Sequence, residues 1–182
     1  MNSDPVQVRL SGAGGQGLIT AGVILAEAAL LDGKNVVQTQ TYGPEARLGS
    51  SKAEVIISAT TIAYPQVTVP DILLCLSLEA AKKYMSLVHH DTLVVLDSTI
   101  GPEVTGRGRI VRLPMTATAV ATGGKMAANT VALGALNRLT GLVSPESLRR
   151  AVLARVPERF RALNAAAIEA GERLASPAEA PA

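Results

Sequence analysis

The sequence holds one cysteine, one phenylalanine, three tyrosines and no tryptophan among its 182 residues. Each shortage excludes something. The single thiol, Cys75, cannot form a disulfide within the chain. Nor can it supply the several thiolates that an iron–sulfur cluster or a structural zinc site takes. It lies inside the apolar run Ile72-Leu73-Leu74-Cys75-Leu76 and reads as a small buried hydrophobe in a strand. So few aromatic rings leave little for nucleic-acid bases to stack on. Seventeen basic residues stand scattered against fifteen acidic ones, a net charge of +2. No basic stripe marks a nucleic-acid partner, and none is expected.

No apolar run reaches the roughly 18 residues of a membrane span. The opening MNSDPVQVRL lacks the basic-then-apolar form of a secretory leader. A cytoplasmic protein without membrane association is the expectation. His89 and His90 are the only histidines, and Asp91 alone stands beside them. That is too few ligands for a metal site and no basis for a Ser–His–Asp or Cys–His arrangement.

What is present is alternation. With 48% hydrophobic residues, the chain is long enough to build its own core. Val6–Ser11, Asn35–Thr41, Ser51–Ser58, Asp71–Leu76, Thr92–Asp97 and Arg109–Leu113 read as strands, the fourth and fifth almost wholly apolar. Such runs suit the middle of a parallel sheet covered on both faces. Gln16–Leu31 and Leu78–Val88 read as helices between them, and everything after Thr116 reads helical: Lys125–Thr140, a helix opened by Ser144-Pro145-Glu146, and Glu158–Ala175. Asp71 and Asp97 flank strands, where turn and capping roles are commonest. The pattern implies an α/β, Rossmann-like three-layer fold with a mostly parallel sheet and C-terminal helices. Residues 1–175 are expected to form one domain, with 176–182 a disordered tail.

The first strand runs into Gly12-Ala13-Gly14-Gly15-Gln16-Gly17, which fits G-x-G-x-x-G. Glycines there permit close approach to a ligand, and the first turn of the following helix offers free N–H groups at a positive dipole end. A dinucleotide site asks in addition for Asp or Glu at the end of the second strand. That strand reads Asn-Val-Val-Gln-Thr-Gln-Thr, and the nearest carboxylate, Glu45, lies farther on in a loop. The spacing therefore favours another anion or cofactor tail over NAD, with a plain strand-to-helix turn as the bland alternative. Gly123-Gly124-Lys125 invites a P-loop reading, but Ala119 replaces the first glycine and Met126 stands where Ser or Thr should bind magnesium.

A second candidate is the loop Tyr42-Gly43-Pro44-Glu45-Ala46-Arg47-Leu48-Gly49. It follows the second strand, at the sheet edge where ligands of open α/β sheets collect. Arg47 suits bidentate contact with phosphate or carboxylate.

Three stretches together resemble one family. "GAGGQGLITAGVILAEAA", "QTYGPEARLGSSKAEVIIS" and "NTVALGALNRLTGLV…VPERFRALNAAAIEAG" are similar to the gamma subunit of 2-oxoacid:ferredoxin (acceptor) oxidoreductases, with the second most like the 2-oxoglutarate branch. The resemblance implies a subunit of an enzyme that turns a 2-oxoacid and coenzyme A into an acyl-CoA and carbon dioxide. Thiamine diphosphate, Mg2+ and iron–sulfur clusters would then sit on alpha, beta and, in some complexes, delta partners, with ferredoxin taking the electrons. In keeping with that, the chain has no Gly-Asp-Gly segment followed by Asn, the thiamine-enzyme signature. The resemblance further implies a coenzyme A-side or gating role. Gly12, Gly14, Gly15, Gln16 and Gly17 would present N–H groups to a coenzyme A phosphate or a partner carboxylate, Arg47 would be the fixed cation, and Tyr42 and Glu45 would order the loop. The beta subunit of indolepyruvate:ferredoxin oxidoreductase and a free-standing NAD(P)-binding Rossmann module are the alternatives.

Overall fold

In the structure, a computed structural model that describes residues 4–41 and 50–176, six strands form one sheet. They are β1 (Val6–Ala13), β2 (Asn35–Thr41), β3 (Ser50–Ser58), β4 (Ile72–Cys75), β5 (Leu93–Asp97) and β6 (Arg109–Leu113), in the order β2-β3-β1-β4-β5-β6. β1, β4, β5 and β6 pair in parallel, while β3 runs antiparallel to both its neighbours. Five strands thus point one way and one opposes them. The expected mostly parallel sheet is there, and the single reversal has a simple cause. Only residues 42–49 separate β2 from β3, and parallel neighbours need a crossover of a dozen residues or more. A hairpin is all that fits.

The helices are α1 (Leu18–Leu31), α2 (Leu78–Tyr84), α3 (Met115–Thr122), α4 (Ala128–Thr140), α5 (Pro145–Arg155) and α6 (Arg161–Ala175). The three layers are unequal. On one face, Val8, Leu10, Val55, Ile72, Leu74 and Val95 join buried side chains of α1, α3, α4, α5 and α6 in one core cluster. On the other, Leu73, Cys75, Val94 and Leu96 meet Ala80, Ala81 and Tyr84 of α2. The alternation along β4 and β5 sends successive residues to opposite clusters, as a strand's period of two requires. Both strands are buried throughout, which accounts for their unbroken apolar sequence.

Several helix boundaries are tighter than the apolar pattern implies. Residues 85–87, 125–127 and 158–160 are short 3-10 turns at the edges of expected helices, and α1 begins at Leu18 rather than Gln16. Ser144 does cap α5, its hydroxyl accepting from Ser147 N at 3.1 Å with Pro145 at the first helical position. Asp32, at the end of α1, accepts from Ser144 N, Ser144 Oγ and Ser147 Oγ at 2.6, 2.7 and 2.5 Å. One carboxylate therefore ties the end of α1 to the start of α5.

α4 and α6 touch through their backbones. A side-chain carbon at Gly134 would overlap the carbonyl of Ile168, and one at Gly171 the carbonyl of Val131. Buried Thr130 donates to Asn164 Oδ1 at 2.7 Å across the same pair. Cys75 is fully buried as expected, and burial pushes its thiol up to about 12, only partly offset by the Arg9 charge. Asp97 is satisfied as a turn residue: Oδ1 accepts from Thr99 N and Oγ1, and Oδ2 accepts from Thr116 N at 2.7 Å. His89 and His90 are exposed, with His90 Nε2 3.0 Å from Asp91. Among the described residues no His, Cys, Asp and Glu side chains gather into a metal-holding group, and no helix is long and apolar enough to cross a membrane. Of the expected tail 176–182, Ser176 is described and residues 177–182 lie outside the described residues.

Candidate functional site

The parallel strands β1, β4, β5 and β6 all end at one edge of the sheet, and the glycine segment leaves β1 there. Its residues have different employments. Gly12 is the penultimate residue of β1, opposite Ser51 of β3. A side chain on it would collide with the Gln16 amide. Gln16 itself folds back into the turn. Its Oε1 accepts from Ala13 N at 2.7 Å, its Nε2 donates to Leu76 O at 3.1 Å, and its backbone N–H bonds to Ala13 O at 3.2 Å. Gln16 thus braces the loop against the end of β4, with its donors engaged inside the protein. Gly14 and Gly15 are the open part: a carbon added at either would meet nothing within 4 Å.

Gly17 precedes α1 with φ 72°, a left-handed conformation that L side chains resist. Being glycine, it brings no side-chain cap, and no acidic residue occupies the first turn of α1. The N-terminal N–H groups of this 14-residue helix are left without a capping oxygen from their own chain segment, and they carry the positive end of its dipole.

A cleft of about 310 Å3 opens over Gly14 and Gly15, lined also by Ala13, Gln16, Thr116, Lys125, Met126 and Ala128. The far wall comes from the start of α3 and from the turn before α4. Lys125 is exposed and enters no ion pair among the described residues. Met126 beside it is 84% exposed. Two unobstructed glycines thus face an unpaired ammonium across a concave surface, a combination that suits a phosphate or carboxylate. Sequence reading passed over Lys125. Gly123-Gly124-Lys125 fails as a P-loop, and that failure hid the other use of the lysine, because its partner glycines lie more than a hundred residues earlier. Tyr42, Glu45 and Arg47 lie outside the described residues. Thr41 pairs with Lys52 on β3, and Ser50 is opposite Ala13, so β2 ends and β3 begins at the sheet edge where the glycine segment leaves β1.

A larger cleft of about 470 Å3 lies elsewhere, between the C-terminal halves of α4 and α6, where Arg138 and Arg173 mingle with Glu169 and Glu172. Its charges are of both signs and it holds none of the glycine donors. Size alone does not make it the site.

The family model described as pyruvate ferredoxin/flavodoxin oxidoreductase matches residues 7–174. The chain is 45% identical over 176 residues to the 2-oxoglutarate synthase subunit KorC of Methanocaldococcus jannaschii, covering 93% of each. It is similar to the solved gamma subunit of a keto/oxoacid ferredoxin oxidoreductase from Geobacter sulfurreducens PCA, at 45% identity and a TM-score of 0.82, covering 93% of this chain and 98% of that one. It also superposes on the 2-oxoglutarate:ferredoxin oxidoreductase of Magnetococcus marinus, solved with 2-oxoglutarate, coenzyme A and succinyl-CoA bound. There the identity is 25%, the TM-score 0.85, and 96% of this chain spans 31% of that one.

Proposed function

The chain belongs to the pyruvate ferredoxin/flavodoxin oxidoreductase family, and from that premise we propose that it is the gamma subunit of a 2-oxoglutarate:ferredoxin oxidoreductase whose glycine cleft receives the phosphate end of coenzyme A. The enzyme forms an acyl-CoA and carbon dioxide and passes electrons to ferredoxin. This chain cannot do so alone. Its one thiol is buried with a strongly raised pKa, and the described residues gather no metal-binding group. As the family resemblance implies, we assign thiamine diphosphate, Mg2+ and iron–sulfur clusters to alpha and beta subunits, with delta in some complexes, of a hetero-oligomeric enzyme. We place it in the cytoplasm, where a lone reduced cysteine is unremarkable, and read residues 1–175 as one unit.

The observation that carries the coenzyme A reading is the pairing of open Gly14 and Gly15 with Lys125 across the cleft. Coenzyme A is rich in phosphate, and a phosphate is matched by backbone N–H groups at a helix start together with a cation. Gln16 and Gly12 shape the turn, and Gly17 sets the direction of α1. In the same reading Arg47 serves as a second cation, with Tyr42 and Glu45 assigned to ordering its loop. The long Magnetococcus marinus chain, solved with coenzyme A and succinyl-CoA, contains a unit of this shape, which supports a position beside the thioester-forming site.

Steady-state kinetics of the assembled complex test the reading. Lys125→Ala and Arg47→Ala each raise the KM for coenzyme A by about tenfold or more, the worth of one charge-assisted hydrogen bond, and leave the KM for the 2-oxoacid nearly unchanged. Equal rises in both constants, or a defect in assembly alone, would count against it. So would tight binding of NADH, without coenzyme A, by the purified chain.

A further inference from the structure

One contact reaches the glycine loop from far along the chain. Asn129, at the start of α4, is 9% exposed and donates from Nδ2 to Gly17 O at 3.2 Å. The same carbonyl accepts from Ala21 N at 2.9 Å, the first hydrogen bond of α1. The amide fills the space a side chain on residue 17 would take: a Cβ there would lie 2.7 Å from Asn129 Nδ2. The orientation of that amide is fixed as well. Its Oδ1 accepts from Thr130 N at 2.9 Å, so Nδ2 must face Gly17. Thr130 Oγ1 donates to Asn164 Oδ1, and Asn164 Nδ2 donates to Phe160 O at 3.0 Å, which anchors the relay in α6. Behind it stands the backbone contact of α4 with α6.

From this geometry we infer that Asn129 is a positioning residue: it holds Gly17 in its left-handed conformation and so aims the open Gly14–Gly15 segment and the first turn of α1 at the cleft. Asn129 is not among the residues that line the cleft. It acts through Gly17. The segment 125–129 therefore serves the site twice, with Lys125 facing the ligand space and Asn129 gripping the loop from behind. The ligand half of this inference rests on the coenzyme A reading above; the loop half does not.

Two measurements on Asn129→Asp separate the halves. Asp keeps the shape but at neutral pH offers no donor to a carbonyl. In the full chain, amide hydrogen exchange over residues 14–21 accelerates by about five- to tenfold, as expected for one lost hydrogen bond, while α6 is unaffected. In the assembled complex the KM for coenzyme A rises by a similar factor, with kcat and the KM for 2-oxoglutarate nearly constant. Asn129→Ala reproduces both changes. Unaltered exchange in residues 14–21 of the Asp variant overturns the inference whatever the kinetics. Faster exchange with an unchanged KM for coenzyme A upholds the positioning of the loop and overturns the coenzyme A reading instead.

Discussion

Gly171→Ala reverses an ordinary rule and so tests the packing directly. Gly171 lies inside α6, where exchanging glycine for alanine raises helix propensity by about 1 kcal/mol. In a loosely packed helix that gain would dominate and the protein would become more stable. Here the new methyl carbon would overlap Val131 O and lie 2.9 Å from Ala135 N and from Val131 C. All three are backbone atoms of α4 and cannot rotate away, so the two helices must separate or tilt. Overpacking a site that cannot yield costs about 3 kcal/mol, which leaves a net loss of about 2 kcal/mol. At roughly 2–4 °C per kcal/mol for a chain of this size, the melting temperature falls by about 4–8 °C. Circular dichroism melts of the purified chain and urea midpoints measure it. Gly14→Ala is the matched control, because its added carbon meets nothing within 4 Å and it stays within about 0.5 kcal/mol of the parent. A Gly171→Ala protein as stable as the parent, or more so, would refute the backbone contact.

Two other expectations concern titrating groups. Burial alone would raise the pKa of Asp32, but hydrogen bonds from Ser147 and Ser144, with the Lys34 charge, outweigh it and hold the carboxyl below its usual value. A depressed carboxylate contributes stability that is complete above about pH 4 and disappears as pH falls through the folded-state value. The urea-midpoint gap between the parent and Asp32→Asn should therefore shrink between pH 6 and pH 3, and a constant gap would contradict the tie between α1 and α5. Cys75, with its pKa up at about 12 and no exposure, should resist iodoacetamide in the native chain at pH 8 and react only after denaturation, as read by mass spectrometry. Modification at a rate independent of denaturant would mean that α2 does not seal that face.

Strands were legible because their signal is local. The apolar runs of β4 and β5 and the alternation of β3 declare their own burial, and a short connection dictates antiparallel pairing. The boundaries of α2, α4 and α6 were less legible, because 3-10 turns and α-helix share the same residue preferences over one turn. The candidate site divides along the same line. Gly14 and Gly15 stand out in sequence because they sit in a motif. The brace role of Gln16 does not, since it depends on Leu76 O at the end of β4, 60 residues away. Lys125 and Asn129 are brought to the loop by tertiary folding alone. Nothing within ten residues of either hints at Gly17 or Gly15.

The bond from Asn129 to Gly17 spans 112 positions. A nascent chain leaving the ribosome thus carries its glycine turn for most of its synthesis without the amide that sets it. The turn is written in the first tenth of the polypeptide and completed only when the last third has docked. A truncated product ending before α4 would carry the motif intact and yet lack the amide that sets it, so the geometry of the turn reports whether the whole subunit has folded.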